Sequence, residues 1–315
     1  QRCKSATANL ASLEARIISE SKEVQSAEQK KAGLLVEIER LASVAGSMYK
    51  TASALPSLNF AAPSVRGWKG IDAREWSERL AANPLLTSEG KAAMVQFAAL
   101  TLAGEVPIII GSEADDFAEM AAFITCGGRL FGMIADPTVI TVDDLWIRAG
   151  SAAPTYIGQA LTEILRDEAV PPALAVVSGP EHSASLHWVR SLACLTRTGA
   201  LTSRFRPAIA TQQVGTDVDA AMRGCFQIGT GGAFDKTKLS MTPFFYGQPA
   251  QNATTLAIDP AQNSAVAALA ISELTPRTVG ATLRATRLHA VARQFMSEAE
   301  AKVFVSNFIA AISRQ

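Results

Sequence analysis

Ser178, Glu181 and His182 bring the groups of a hydrolase or transferase site together in a short stretch of the chain. A serine hydroxyl can attack a carbonyl when a histidine takes its proton and a carboxylate orients that histidine. Ser178 is followed by Gly-Pro, however, and lacks the G-x-S-x-G pattern of a nucleophile elbow. His182 and His187 are five residues apart, whereas two metal ligands on one helical face are four apart. An enzyme using the first three residues is therefore one alternative function.

A second candidate site follows a buried strand predicted at residues 106–110. A turn then leads into a helix, which is where a phosphate loop lies in nucleotide-binding proteins. Such a loop needs several glycines and a lysine, so that N–H groups and a positive charge surround the phosphate. This turn has Gly111, no lysine, and three acids, Glu113, Asp115 and Asp116. Acids suit a helix N-terminus but repel phosphate, so the position fits a nucleotide site and the residues do not.

Two further motifs could bind anions. Residues 229–232, Gly-Thr-Gly-Gly, follow a predicted strand and could cradle an anion with backbone N–H groups. Arg197, Arg204 and Arg206 form a basic cluster, predicted on the loop before a strand at residues 207–211. An ordinary exposed loop is the simpler interpretation of this cluster. A nucleic-acid-binding module that uses the loop is the second alternative function.

The composition limits the class of protein. The chain has 315 residues, of which 48% are hydrophobic and 18% charged, and its formal net charge is zero. This predicts a folded core and argues against a broad basic surface. The four cysteines are far apart without metal-binding spacing, as in reduced cytosolic proteins, so we predict a cytoplasmic protein without a metal. No run approaches 18 uncharged apolar residues, so we expect no membrane helix, and the start at Gln1 favours a fragment or a processed form.

Buried strands and helices must position these residues. Short apolar runs at 106–110, 129–134, 173–177, 207–211 and 225–228 alternate with helical stretches at 115–125, 151–168 and 183–195. Such strands, buried on both faces, predict a parallel α/β sheet with right-handed crossovers. Further helices are predicted at 73–80, 87–103, 264–274, 279–295 and 297–312, with Thr87 and Thr275 as N-caps.

The pattern divides the chain into four segments. Residues 1–55 have apolar positions three and four apart and predict a coiled coil or helical stalk, with an amphipathic helix packed on the core as the alternative. Residues 56–71 contain Pro and Gly and predict a linker. Residues 72–250 form the α/β core, and residues 251–315 form a helical lid domain.

In element order, the chain resembles an AAA+ ATPase module, most closely the branch of the McrB-like and MoxR-like ATPases. The resemblance covers residues 72–315 and includes an acidic-Leu segment at residues 143–146. Thr211 or Gln212 matches the sensor-1 position, and Arg277 resembles a sensor-2 arginine at the start of a lid helix. The resemblance implies a P-loop-NTPase-like parallel sheet with a helical C-terminal lid, preceded here by the N-terminal coiled-coil segment.

The resemblance also implies where a nucleotide would lie, and there the catalytic residues are missing. Gly111, Ser112 and Glu113 occupy the Walker A position without its lysine. Ser178 replaces the metal-binding acid of Walker B, and Glu181 is the only carboxylate near it. Without the lysine and the metal-binding acid, most of the electrostatic stabilisation of phosphoryl transfer is absent. We therefore expect a degenerate nucleotide site and no cofactor.

These expectations together predict a non-catalytic AAA+-like scaffold or adaptor, a pseudo-ATPase. It would assemble with itself or with an active ATPase in a cytoplasmic complex, away from membranes. The residues predicted to bind protein partners are Leu34, Ile38, Leu41, Arg204, Arg206 and Arg223. The first three lie on the seam of the stalk, and Arg223 would be offered to a neighbouring subunit.

Overall fold

The structure, a computed structural model, describes residues 68–212, 220–241, 254–257, 267, 270–271, 274, 276 and 278–313. The predicted stalk, its seam residues Leu34, Ile38 and Leu41, and the predicted lid arginine Arg277 lie outside the described residues. All elements below belong to one compact unit, Asn59–Ala149 with Ala153–Gln315. Within the described part, no helix is long and apolar enough to cross a membrane.

Strands and helices alternate along the described chain. In order they are β1 (Lys69–Ile71), α1 (Ala73–Ala82), α2 (Ser88–Leu102), β2 (Ile108–Ile110), α3 (Ala114–Cys126), β3 (Leu130–Ile134), α4 (Tyr156–Arg166), β4 (Ala173–Ser178), α5 (Ser185–Arg197), β5 (Phe205–Thr211), β6 (Gln227–Gly229), β7 (Thr254–Leu256), α6 (Val279–Ala292) and α7 (Glu298–Ile312). Short 3₁₀ turns span Val142–Leu145, Pro180–His182 and Lys236–Met241. The predicted N-cap Thr87 is confirmed, since its side chain accepts a hydrogen bond from the N–H of Gly90.

Five strands form one parallel sheet in the order β3-β4-β5-β2-β6. The predicted α/β class with a parallel sheet is thereby confirmed. The first strand of this sheet, β2, lies in its interior, where Ile109 is opposite Ala210 of β5 and Ile228 of β6. The chain therefore crosses in one direction from β2 to β3 and in the other direction from β3 through β4 to β5.

The two directions of crossing place helices on opposite faces of the sheet. Strand residues alternate between the faces, so that Ile109 and Val176 pack under α1, α2, α3, α6 and α7. Ile108 and Val177 point the other way and pack under α4 and α5. Because α3, which follows β2, and Met222, which lies between β5 and β6, pack on opposite faces of the sheet, a crevice opens at the carboxyl ends of the strands. In open α/β sheets, such a crevice is where ligands bind.

A second, two-stranded parallel sheet joins β1 to β7, with Lys69 opposite Thr254. This sheet was not predicted, and β1 occupies the last three residues of the predicted linker. The buried Arg206 of β5 holds β7 in place, since its Nη2 donates to the carbonyl of Leu256 at 2.7 Å. Its Nη1 donates to the carbonyl of Thr125 near the end of α3, at 3.1 Å.

The two C-terminal helices are attached to the sheet by a buried ion pair. Arg284 of α6 and Glu105, which precedes β2, form two hydrogen bonds of 2.8 and 2.7 Å. Phe304 and Phe308 of α7 pack around Phe226, next to the start of β6. Helix α7 begins at a capping box formed by Ser297 and Glu300. The predicted helical C-terminal segment is therefore built onto the same core as α2 and α3.

Candidate functional site

The carboxyl ends of β3, β4 and β5 and the first half of α3 enclose a cleft of about 510 Å³, here called the edge cleft. The parallel sheet brings Ser178, which ends β4, and Thr211, which ends β5, to this cleft. Glu181 and His182 reach it from the 3₁₀ turn that follows β4. Asp115 enters it from the first turn of α3. Sequence-predicted residues of the enzyme site and of the nucleotide site thus line the same cleft.

A hydrogen bond crosses the edge cleft between the two predicted Walker positions. The Oγ of Ser178 donates to Oδ1 of Asp115 at 2.7 Å and so joins the end of β4 to the start of α3. Beside it, Oγ1 of Thr211 donates to Oε2 of Glu181 at 3.0 Å. The hydroxyls at two strand ends are therefore used to hold carboxylates inside the crevice.

Serine, histidine and carboxylate do not form a catalytic triad here. Ser178 donates its proton to Asp115, so the hydroxyl is directed to a carboxylate and not to an imidazole. Nε2 of His182 lies 3.9 Å from Oε1 of Glu181, which is beyond hydrogen-bond distance. The side chain of His182 is 66% exposed. The cleft thus gathers the three residues of the alternative enzyme site without the proton relay that nucleophilic catalysis requires.

The turn at Gly111 packs closely against the end of β6. Gly111 has φ +136°, and a Cβ there would lie 2.7 Å from Oγ1 of Thr230, so only glycine fits between the ends of β2 and β6. Ser112 is exposed. Glu113 pairs through Oε1 with Lys236 at 3.6 Å, and its buried Oε2 has no hydrogen-bond partner among the described residues. The charges nearest to this turn are therefore mainly negative.

The glycine-rich turn at residues 229–232 is occupied by a neighbouring helix. Oγ1 of Thr87, the N-cap of α2, donates to the carbonyl of Gly232 at 2.8 Å. Gly90 approaches so closely that a Cβ at its position would lie 2.0 Å from the carbonyl oxygen of Ala233. This turn is a packing contact between α2 and the end of β6. The turn has no positive side chain of its own to help its backbone N–H groups cradle an anion.

The basic cluster is not the exposed loop that the sequence predicts. Arg197 ends α5, and its Nε donates to the carbonyl of Ala193 at 2.8 Å. Arg204 donates from Nη2 to the carbonyl of Ile164 at 2.6 Å and from Nη1 to carbonyls just after α4, so it closes the end of that helix. Arg206 lies inside β5 and is 4% exposed.

Arg204 lies in the turn before β5, as predicted, whereas Arg206 lies inside the strand and not on a loop. The guanidinium groups of the three arginines donate to backbone carbonyls of their own chain, and binding of a partner by Arg204 and Arg206 stays a prediction. Arg223, in contrast, is exposed, as the prediction of a subunit contact requires. Its binding to a neighbouring subunit stays a prediction.

Sequence reasoning found the residues of the edge cleft but not their pairing. Asp115 and Ser178 stand 63 positions apart, and their contact depends on the order of the strands in the sheet. One signal in the sequence could have found this contact. Ser178 directly follows a predicted strand and Asp115 begins a predicted helix, and both positions belong to the carboxyl edge, where neighbouring strands end together. Lys236 carried no motif, and nothing in the sequence points to its contact with Glu113.

No protein family model, curated protein or solved structure matches the chain. Among the described residues, no group of three His, Cys, Asp or Glu side chains could hold a metal ion.

Proposed function

We propose that the chain is a non-catalytic scaffold with an AAA+-like framework, in which a hydrogen bond and carboxylates take the place of the groups that would bind a nucleotide. The Asp115–Ser178 hydrogen bond is the observation that carries this proposal. It joins the helix that follows the Walker A position to the strand end at the Walker B position. A nucleotide phosphate and its magnesium ion would need the space and the polar groups that this bond uses.

The charge of the crevice supports the same conclusion. Asp115, Glu119 and Glu181 line the edge cleft, and no lysine or arginine is among the described residues that line it. A carboxylate about 4 Å from a phosphate oxygen costs about 4 kcal/mol at an effective dielectric constant of 20. Phosphoryl transfer instead needs cations that neutralise the developing charge. The site therefore opposes both binding of ATP and its hydrolysis.

Exposed apolar side chains support a role in assembly. Ile134 at the end of β3 is 74% exposed, and Val279 at the start of α6 is 79% exposed. Leu283, one turn after Val279, is 57% exposed and lies on the same face of the helix. Val279 and Leu283 therefore form an exposed apolar pair, and apolar side chains grouped at the surface are typical of contact sites between proteins.

ATP binding and turnover by the purified chain test the proposal. Titration calorimetry with ATP and magnesium should show no binding tighter than about 1 mM, and phosphate release should equal the rate without protein. Magnesium-dependent ATP hydrolysis that disappears in Glu181→Gln and persists in Glu119→Gln would overturn it. Glu119→Gln is the matched control, because it removes a carboxylate from the same cleft at a position that matches no Walker residue.

A further inference from the structure

The strand β3 forms one edge of the five-stranded sheet and leaves a row of backbone groups unpaired. The N–H of Leu174 donates to the carbonyl of Arg129, and the N–H of Ala135 donates to the carbonyl of Ser178. In a parallel ladder, alternate residues point their backbone groups to the same neighbour, so residues 129, 131, 133 and 135 face β4. Gly132 and Ile134 therefore direct both N–H and C=O away from β4.

These outward groups are open to another chain. No hydrogen bond within the described residues reaches the backbone N–H or C=O of Gly132 or Ile134. Gly132 and Ile134 are exposed, and a Cβ placed on Gly132 would have no atom within 4 Å, which shows that the face of the sheet beside Gly132 is open. An exposed edge of this kind is a template for pairing with a further strand.

A cleft lies beside β3 on each face of the sheet. The edge cleft lies on the side of α3, and a second cleft of about 540 Å³ lies on the side of α4, where Val139 and Tyr156 line it. Gly132, Met133 and Ile134 line both clefts. Side chains of an added strand would point alternately to the two faces and so enter one cleft and then the other. Backbone pairing combined with pockets for alternate side chains is how extended peptides bind at sheet edges.

The charges around β3 select the type of strand. The edge cleft holds the three carboxylates Asp115, Glu119 and Glu181 against one histidine. The second cleft holds Asp136 and Asp144 against Arg148. Hydrogen bonds from Thr141 hold the pKa of Asp144 below its usual value, and hydrogen bonds from Thr138 do the same for the pKa of Asp136, so both are ionised at neutral pH. A second copy of β3 would bring these carboxylates together and be repelled, whereas a basic strand would be attracted.

We propose that β3 binds an extended segment of a partner protein as a sixth strand of the sheet, with a Lys or Arg side chain in the edge cleft and an apolar side chain next to it in sequence in the second cleft. The outward N–H and C=O groups of Gly132 and Ile134 hold its backbone. The carboxylates of the edge cleft hold its basic side chain. The scaffold role proposed above names no binding surface and no type of partner, and the edge of β3 supplies both.

Two peptides of opposite charge test the proposal on the full chain. The first probe is an acetylated and amidated hexapeptide that alternates Lys and Val, and the second alternates Glu and Val. Fluorescence anisotropy of labelled peptides should show saturable binding of the Lys peptide that weakens at high salt, and no binding of the Glu peptide. Equal binding of both peptides, or no binding of the Lys peptide because part of this chain or a second copy covers β3, would overturn the proposal.

Variants of Gly132 test whether the backbone edge is the contact. Gly132→Pro removes an outward N–H and places a ring at the edge, and it should weaken binding of the Lys peptide at least about tenfold. Gly132→Ala keeps the N–H and should weaken binding by less than about threefold, while circular dichroism shows that both variants remain folded. Glu119→Gln should weaken binding about threefold through the lost charge. Loss of affinity that is equal in Gly132→Pro and Gly132→Ala would contradict strand addition.

Discussion

Removing one partner of the buried ion pair between Glu105 and Arg284 should destabilise the protein strongly. The guanidinium of Arg284 donates from Nε and Nη2 to the two carboxylate oxygens, and Nη2 also donates to the carbonyl of Gly224 at 2.8 Å. Only 5% of the Glu105 side chain and 14% of the Arg284 side chain are exposed. The variants Glu105→Leu and Arg284→Met each leave one charge in a place that water hardly reaches.

The contacts that remain set the size of each effect. Breaking a buried ion pair by removing one partner costs about 3–5 kcal/mol. In Glu105→Leu, the guanidinium keeps the Gly224 carbonyl and the ring of Phe308, whose centroid lies 5.1 Å away, so we expect a loss of about 3 kcal/mol. In Arg284→Met, the carboxylate keeps no side-chain hydrogen bond among the described residues, so we expect about 4–5 kcal/mol.

The double variant provides the control. With both charges replaced by apolar side chains, no charge is left unpaired, and the loss should be smaller than that of either single variant. Urea unfolding at pH 7, followed by tryptophan fluorescence and circular dichroism, gives the free energies for a double-mutant cycle. Additive losses in the double variant, or single variants that lose less than about 1 kcal/mol, would refute the reasoning.

Three further predictions concern buried groups. Burial lowers the pKa of His289 from its ordinary 6.5, and both ring nitrogens lack hydrogen-bond partners among the described residues. The unfolded chain therefore binds a proton below pH 6.5 that the folded chain resists, so the free energy of unfolding should fall as the pH drops below 6.5 in urea titrations, and His289→Leu should remove this loss. Gly90→Ala should destabilise by about 1–3 kcal/mol in the same assay, because its Cβ meets the carbonyl oxygen of Ala233. Burial raises the pKa of Cys225 to about 11, so iodoacetamide at pH 8 should modify the exposed Cys194 well before Cys225, as peptide mass mapping would show.

The sheet was predictable from local sequence, but its order and its ends were not. Each apolar run marks a strand, and β4 and β5 are buried on both faces as this signal predicts, whereas the edge strand β3 is partly exposed. The start of β5 was misplaced at Pro207 because proline is expected at strand starts. The backbone groups of the odd residues of β5 point to β2, as Ile209 shows by donating to the carbonyl of Pro107. β2 pairs with β5 only from Ile108 onwards, so β2 has no paired residue opposite Pro207. The N–H that proline lacks is therefore not needed at this position. The rule was sound, but its outcome depended on a neighbouring strand that lies a hundred residues earlier.

The site was partly predictable for the same reason. Ser178 directly follows one predicted strand and Thr211 ends another, so their place at the carboxyl edge follows from sequence. Asp115 as the partner of Ser178 depends on how α3 crosses the sheet, which a single sequence does not encode locally. Arg206 was placed on a loop because an arginine that binds buried carbonyls and an exposed arginine have the same sequence signature. Burial of long side chains is decided by the tertiary fold and not by the residues beside them.

The pairing of β1 with β7 has a mechanical consequence. Lys69 and Thr254 are opposite each other, so the chain begins the α/β core at a strand whose partner, β7, lies much later in the chain, before α6 and α7. Tension applied through the residues before 69 would load this parallel pair in shear, together with the bond from Arg206 to Leu256, before it reached the five-stranded sheet. The crevice at the carboxyl edge would keep its shape under such a load until β1 separated from β7.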